Sequence, residues 1–161
     1  MMRANDAFLR WCYRSGRPNG LAAALNRVGA VLSSAGLWPS RMATLQVRGR
    51  RSGRPLSLPV VLVEQDGDRY LVAMLGEATN WVANVRADGR RAVLGHGRRE
   101  AVRLEEVEPG SRAPILRRYL QVAPGARPHI PVDRRAPLAD FERIADRYPV
   151  FRIRADDVAA R

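Results

Sequence analysis

The sequence predicts an α+β fold: two amphipathic helices, an antiparallel strand meander closing into a barrel-like sheet, then further helices and a last strand. Three observations carry this prediction. Apolar residues recur at three- to four-residue steps before residue 40 and at every second residue after residue 42. Turn chemistry, QDGD at 65–68 and the glycines at 95 and 97, separates the strand-like runs. A meander of this length avoids exposed edges most easily by curling closed.

The elements follow in order. Phe8, Trp11 and Cys12 have helical spacing, with Asn5 or Asp6 as cap. Gly16, Pro18 and Gly20 then break the chain, and Leu21, Leu25, Val28 and Leu32 mark a second helix ended by Gly36 and Pro39. Residues 1–40 thus read as a helical segment of one domain, 1–161, whose barrel core is 42–161. MATLQVRG at 42–49 alternates, with Leu45 and Val47 on one face, and PLSLPVVLVE at 55–64 continues as a strand. QDGD is a hairpin turn into RYLVAML at 69–75. NWVANVRADG fits a short helix, capped by Thr79 or Asn80 and closed by Gly89. RAVLG and EAVRLEEV form another hairpin. A helix over 111–121 presents Ile115, Leu116, Tyr119 and Leu120 on one face, and a Pro-rich loop follows it. Leu138, Phe141, Ile144, Ala145 and Tyr148 predict a last amphipathic helix, stopped by Pro149. VFRIR at 150–154 is the closing strand.

Composition bounds the function. The 161 residues carry a formal charge of +12, and all 28 basic residues are arginine. Such an excess attracts phosphates, acidic lipids or polyanionic cofactors. Arginine and alanine rise together, the mark of a GC-rich coding bias, so bulk charge alone does not point to nucleic acid. With three Phe and four Tyr and no stacking array on the strands, nucleic acid ranks last as a partner. Cys12 is the only cysteine, which excludes an intrachain disulfide and a thiolate zinc site and fits a reducing cytoplasm. The first residues lack a signal peptide's apolar stretch, and 21–38 is interrupted by Asn26 and Arg27. No metal site, G-x-S-x-G elbow or Walker loop occurs. Glu105, Glu106 and Glu108 read as solvated charge at a strand end, and His96 as a solvated hairpin tip.

The pentapeptide RSGRP occurs at 14–18 and again at 51–55. Its flanks differ, so the duplication is chance in an Arg-rich chain. The second copy has its own meaning. Gly49 and Gly53 bracket a tight turn crowded by Arg48, Arg50, Arg51 and Arg54, with Ser52 at its tip. Four like charges on one turn repel, and a bound polyanion relieves that cost.

The stretch VRGRRSGRPLSLPVVLVEQDGDRYLVAMLGEATNWVANVRADGRRAVLGHGRREAVRLEEV, with its GR-R-SG turn, DGDRYLV hairpin and Gly followed by Trp-x-x-Asn, resembles the deazaflavin-dependent nitroreductase and quinone-reductase family. The likeness spans roughly 42–107 and weakens towards the last strand. It implies a split β-barrel of the flavin-reductase kind, binding coenzyme F-420, a deazaflavin with a phosphodiester and an oligoglutamate tail; FMN is the second choice. It implies that Arg50, Arg51, Ser52 and Arg54 hold phosphate and tail, and that Ala73, Met74, Leu75 and Gly76 run beside ring and phosphate. Trp81 and Asn84 match Trp-x-x-Asn, with Trp81 either touching the cofactor or packing its helix onto the barrel. Met74 and Leu75 stand where many members carry a Ser–Lys pair, and Leu138 and Phe141 where nitroreducing members carry pocket tyrosines.

The implied reaction is hydride transfer to an electron-poor, small hydrophobic acceptor: a quinone, an enone or a nitro compound. Tyr148 and His129 are the candidate proton donors, with Tyr119 behind them. The competing reading is a barrel that holds a flavin, haem-like or lipid ligand without turnover. Basic residues flanking the apolar faces of 1–40 suit an anionic bilayer, which would place the protein at the inner face of the plasma membrane; the alternative is a helix pair covering one barrel mouth. A homodimer is compatible with all of this.

Overall fold

The structure, a computed structural model, describes residues 40–157. The expected helices before residue 40, the first RSGRP copy and the bilayer contact lie outside the described residues. Seven strands form one sheet: β1 (Met42–Arg48), β2 (Pro55–Val61), β3 (Val63–Gln65), β4 (Asp68–Val72), β5 (Arg91–His96), β6 (Arg98–Glu106) and β7 (Val150–Ala155). Their order is β2-β1-β5-β6-β7-β4-β3, and every pairing is antiparallel. The two outermost strands, β2 and β3, are consecutive in the chain with only Leu62 between them. One residue cannot span an open seven-stranded sheet, about 4.8 Å per strand, so the sheet must roll until its edges meet. This is a split β-barrel.

Local chemistry fixes the corners. Asp66 (φ 52°) and Gly67 (φ 84°) make the two-residue turn that pairs Gln65 with Asp68, a geometry Asp-Gly favours. Pro55 and Pro59 are tolerated in β2 because it is hydrogen-bonded to β1 alone. Strand β4 is buried on both faces, which is why RYLV reads as nearly continuous apolar sequence. Leu71 points into the barrel with Leu45, Leu94, Leu104 and Phe151, while Tyr70 and Val72 pack outside. Helix α1 (Asn80–Ala87) plugs the barrel interior with Trp81, Val82 and Val85. Helices α2 (Ala113–Val122) and α3 (Leu138–Glu142) cover the outer face through Ile115, Leu116, Leu120 and Phe141.

Three expectations are corrected. The strand read over 69–75 ends at Val72, because Ala73 N–H bonds to the Pro149 carbonyl and the chain turns at Met74. The last helix breaks after Glu142 and resumes as a single tight turn at Ala145–Arg147. Arg112 explains the break: its buried guanidinium takes the Ala145 and Tyr148 carbonyls at 3.0 and 3.2 Å, and the Val107 carbonyl at 2.7 Å. His96 is half-buried and bonds through Nδ1 to the Met42 carbonyl at 2.8 Å instead of lying in solvent.

Candidate functional site

The β1–β2 turn is built around its glycines. Gly49 N–H reaches the Arg54 carbonyl and Gly53 N–H the Gly49 carbonyl, both at 2.8 Å. Ser52 Oγ accepts the Arg54 N–H at 3.2 Å. A Cβ on Gly49 would lie 2.6 Å from that Oγ, so glycine is what lets the hydroxyl tuck in. The arginines then divide. Arg50 is tied to α1: its backbone N–H and Nη1 both donate to Asn84 Oδ1, at 3.1 and 2.8 Å, and Nη1 also reaches Asn80 Oδ1 at 2.8 Å. Asn84 is buried, so this bond locks the turn onto the helix. Arg51 and Arg54 are exposed and face no carboxylate among the described residues.

The chain from Ala73 to Thr79 connects this turn to a second feature. Thr79 Oγ1 does not cap α1 but donates to the Gly76 carbonyl at 2.6 Å, and Gly76 N–H returns to the Ala73 carbonyl at 3.0 Å. Gly76 sits at φ 79°, and a Cβ there would come within 3.0 Å of the Arg147 carbonyl. Both conformation and closeness demand glycine.

Beside it opens a cavity of about 330 Å³, lined by Met74, Leu75 and Gly76 on one side and by His129, Arg147 and Tyr148 on the other. Tyr148 donates its hydroxyl to the His129 carbonyl at 3.1 Å, fixing the loop that carries the imidazole. Burial raises the Tyr148 phenol above its ordinary value, against a smaller opposing pull from the Arg147 charge. Two residues with apolar side chains, a glycine, a histidine, a tyrosine and an arginine thus line one concavity. It can hold a flat, partly apolar molecule and meet negative charge appearing on it.

Five of the residues singled out in the sequence therefore meet in the cavity: Met74, Leu75, Gly76, His129 and Tyr148. Ala73 and Trp81 do not line it. Both belong to the barrel core, and the Trp81 ring packs against Phe151 with centroids 5.4 Å apart. Phe141 is fully buried and Tyr119 nearly so, under the helical layer. Sequence reasoning missed Arg147, because a continuous helix over 138–148 turns that side chain away from Tyr148. It also missed Asn80, whose only signal was a cap position. Among the described residues no cluster of His, Cys, Asp and Glu has the makings of a metal site, and no helix is long and apolar enough to cross a membrane.

Solved structures share this architecture. The Agrobacterium tumefaciens protein Atu2129, described as of unknown function, is 19% identical over 78% of this chain with a TM-score of 0.53; the chain spans about half, 52%, of that protein's length. The conserved hypothetical protein Rv2991 of Mycobacterium tuberculosis is 18% identical over 76% of this chain and 77% of its own, with a TM-score of 0.51. A protein described as a domain-swapped dimer is 17% identical over 84% of this chain and all of its own, with a TM-score of 0.52. At these identities what is shared is the fold. No curated protein sequence matches the chain. A family model does: residues 23–138, running from before the barrel through the Arg turn, the Gly76 segment and His129 to the start of α3, match the one described as F420H(2)-dependent quinone reductase, and the chain belongs to that family.

Proposed function

We propose that this protein is an oxidoreductase that uses a reduced deazaflavin coenzyme to pass hydride to an electron-poor acceptor of the quinone, enone or nitro class. One observation carries the reading: the ring-side segment 74–76 and the two candidate proton donors, far apart in sequence, close on one cavity. The residues present suit the coenzyme. Gly76 lets segment 74–76 lie close against Arg147, where a Cβ would come within 3.0 Å of the carbonyl, and Arg51 and Arg54, with no ion-pair partner among the described residues, offer guanidinium forks to a phosphodiester or to glutamate carboxylates. A long acidic tail uses both forks, whereas FMN carries a single phosphate, so the deazaflavin is the better match. When bound, the deazaflavin supplies the hydride chemistry.

The chain supplies the rest. Arg51 and Arg54 bind the tail, and Arg50 holds their turn against α1. Met74 and Leu75 exclude water from the reacting face. His129 delivers the proton to the acceptor oxygen. Tyr148, made a weaker acid by burial, acts by holding the His129 backbone. Arg147 meets the negative charge that develops on the acceptor. The homodimer remains an expectation, checked by light scattering.

The test is a titration of purified protein with the oxidised coenzyme, followed by its fluorescence, and then turnover of the reduced form with menadione. Saturable binding and turnover are expected; binding without turnover would instead favour a carrier barrel. Arg51→Ala should weaken binding more than about tenfold, equivalent to ~1.4 kcal/mol. Unchanged affinity would remove the turn from the site.

A further inference from the structure

A second cavity, of about 470 Å³, lies between α2 and the loop before α3, lined by Arg117, Gln121, Arg134, Arg135 and Ala136. It shares no residue with the cavity at Met74–Tyr148 or with the β1–β2 turn. We propose that it is an anion site for a small molecule carrying a diphosphate group, independent of the reductase reading.

The charge there is uncompensated. Arg117 and Gln121 stand one helical turn apart on α2, and Arg134 and Arg135 face them from the loop. No carboxylate lines the cavity. Asp133, the nearest in sequence, turns its Oδ1 back to the Arg135 N–H at 2.8 Å, and Asp140 pairs with Arg143 at 2.9 Å. The carbonyls at the end of α2 are also taken, since Arg127 donates to those of Leu120 and Gln121 at 3.0 and 3.4 Å. Elsewhere Arg69, Arg86 and Arg154 each rest against a carboxylate. Here, among the described residues, none of the three guanidiniums has an ion-pair partner.

The frame is preorganised. Ala136 N–H bonds to the Asp133 carbonyl at 3.0 Å, which with the Asp133 side-chain bond winds the loop into a tight turn. Its partner wall is the exposed side of a helix whose other face is buried. Guanidinium forks match phosphate oxygens two at a time, so three forks around this volume suit a longer anion than orthophosphate. The polar lining disfavours an apolar acceptor.

Titration calorimetry of the full chain with inorganic pyrophosphate tests this. We expect a saturable site that is weakened about tenfold or more in Arg117→Gln and in Arg134→Gln. It should persist in Arg51→Ala. Thermal melts of both variants verify that they fold. No binding to the native chain, or an affinity unchanged from it in both folded variants, overturns the proposal. So does loss of binding in Arg51→Ala alone, which would place the anion on the β1–β2 turn. A parallel flotation with vesicles containing a prenyl diphosphate separates the sources of the diphosphate. Capture that pyrophosphate competes away and that both variants lose assigns the site to a lipid headgroup; pyrophosphate binding without capture assigns it to a soluble metabolite.

Discussion

Arg112 shows what a single residue decides. It is buried, and desolvation pulls its guanidinium below the usual arginine value, with Glu106 and Glu77 opposing that pull. It stays charged because arginine does so in proteins. Its donors are spent on the Val107, Ala145 and Tyr148 carbonyls and on Glu106 at 3.4 Å. That fork joins the end of β6 to the turn that presents Arg147 and Tyr148 to the cavity. Arg112→Ala leaves those carbonyls buried without a donor and should lower unfolding free energy by about 3 kcal/mol in a urea titration. Arg112→Lys should recover only part, since an ammonium lacks the planar fork. A loss under about 0.5 kcal/mol for Arg112→Ala would put this residue with ordinary surface arginines. Nothing in the sequence distinguishes it: among the described residues Arg112 alone of the arginines is buried, and it has no local mark. His129 and Tyr148 were legible because loop position and a polar tip on an apolar face are local properties. Arg147 was not, because its direction depends on a helix break that Arg112 causes from elsewhere in the chain.

At the scale of elements, α1 is held to the sheet by a chain of charges. Arg86, in its last turn, donates to Glu77 at 2.8 Å and also pairs with Glu106 of β6, which reaches on to Arg112. The Arg86 hydrogen bond, as largest cause, holds the Glu77 carboxyl below its ordinary value of 4.5. Glu77 is half exposed, so solvent screening keeps its contribution small. The sign is fixed by linkage. A carboxyl with a lower pKa folded than unfolded adds stability above its unfolded value, and that stability is lost as pH falls through the folded one. The melting temperature of the native chain should therefore fall more steeply below about pH 4.5 than that of Glu77→Gln. Parallel curves would mean the contact carries no weight. The expectation for Glu106 failed for a reason of distance: a solvated carboxylate at a strand end looks the same in sequence as one whose partner lies 20 residues away. Elements set by period and turn chemistry were legible. The Asp66–Gly67 hairpin, α1 and β7 fall where alternation and glycine put them. Elements set by long-range capture of carbonyls, above all the broken final helix, were not.

For the whole molecule the decisive residue is Leu62. The run PVVLVE looks like one strand. Yet its first half pairs with β1 and its second with β4, the two ends of the order β2-β1-β5-β6-β7-β4-β3. Sequence periodicity reports which face a residue takes, not which neighbour its backbone finds, so closure was foreseeable as a need and its wiring was not. Leu62 does the joining from both sides of its backbone. Its N–H bonds to the Arg41 carbonyl at 2.7 Å, and its side chain is buried in the barrel interior with Leu71 and Phe151. Leu62→Ala should cost about 3 kcal/mol. A buried leucine elsewhere in the same interior, such as Leu104, should cost as much when truncated. The two variants should differ in where the protein opens. Losing Leu62 weakens the only corner that makes β2 and β3 one segment, so amide exchange should quicken across β2 and β3 while β5, β6 and β7 keep their protection. Leu104→Ala, in the middle of the sheet, should lower protection throughout. If both variants lost protection uniformly, the barrel would be a single cooperative unit with no seam. If Leu62→Ala opens selectively, the seam includes β2, which carries Leu62 past one end and the β1–β2 turn at the other, so closure of the sheet and placement of Arg51 and Arg54 depend on the same strand.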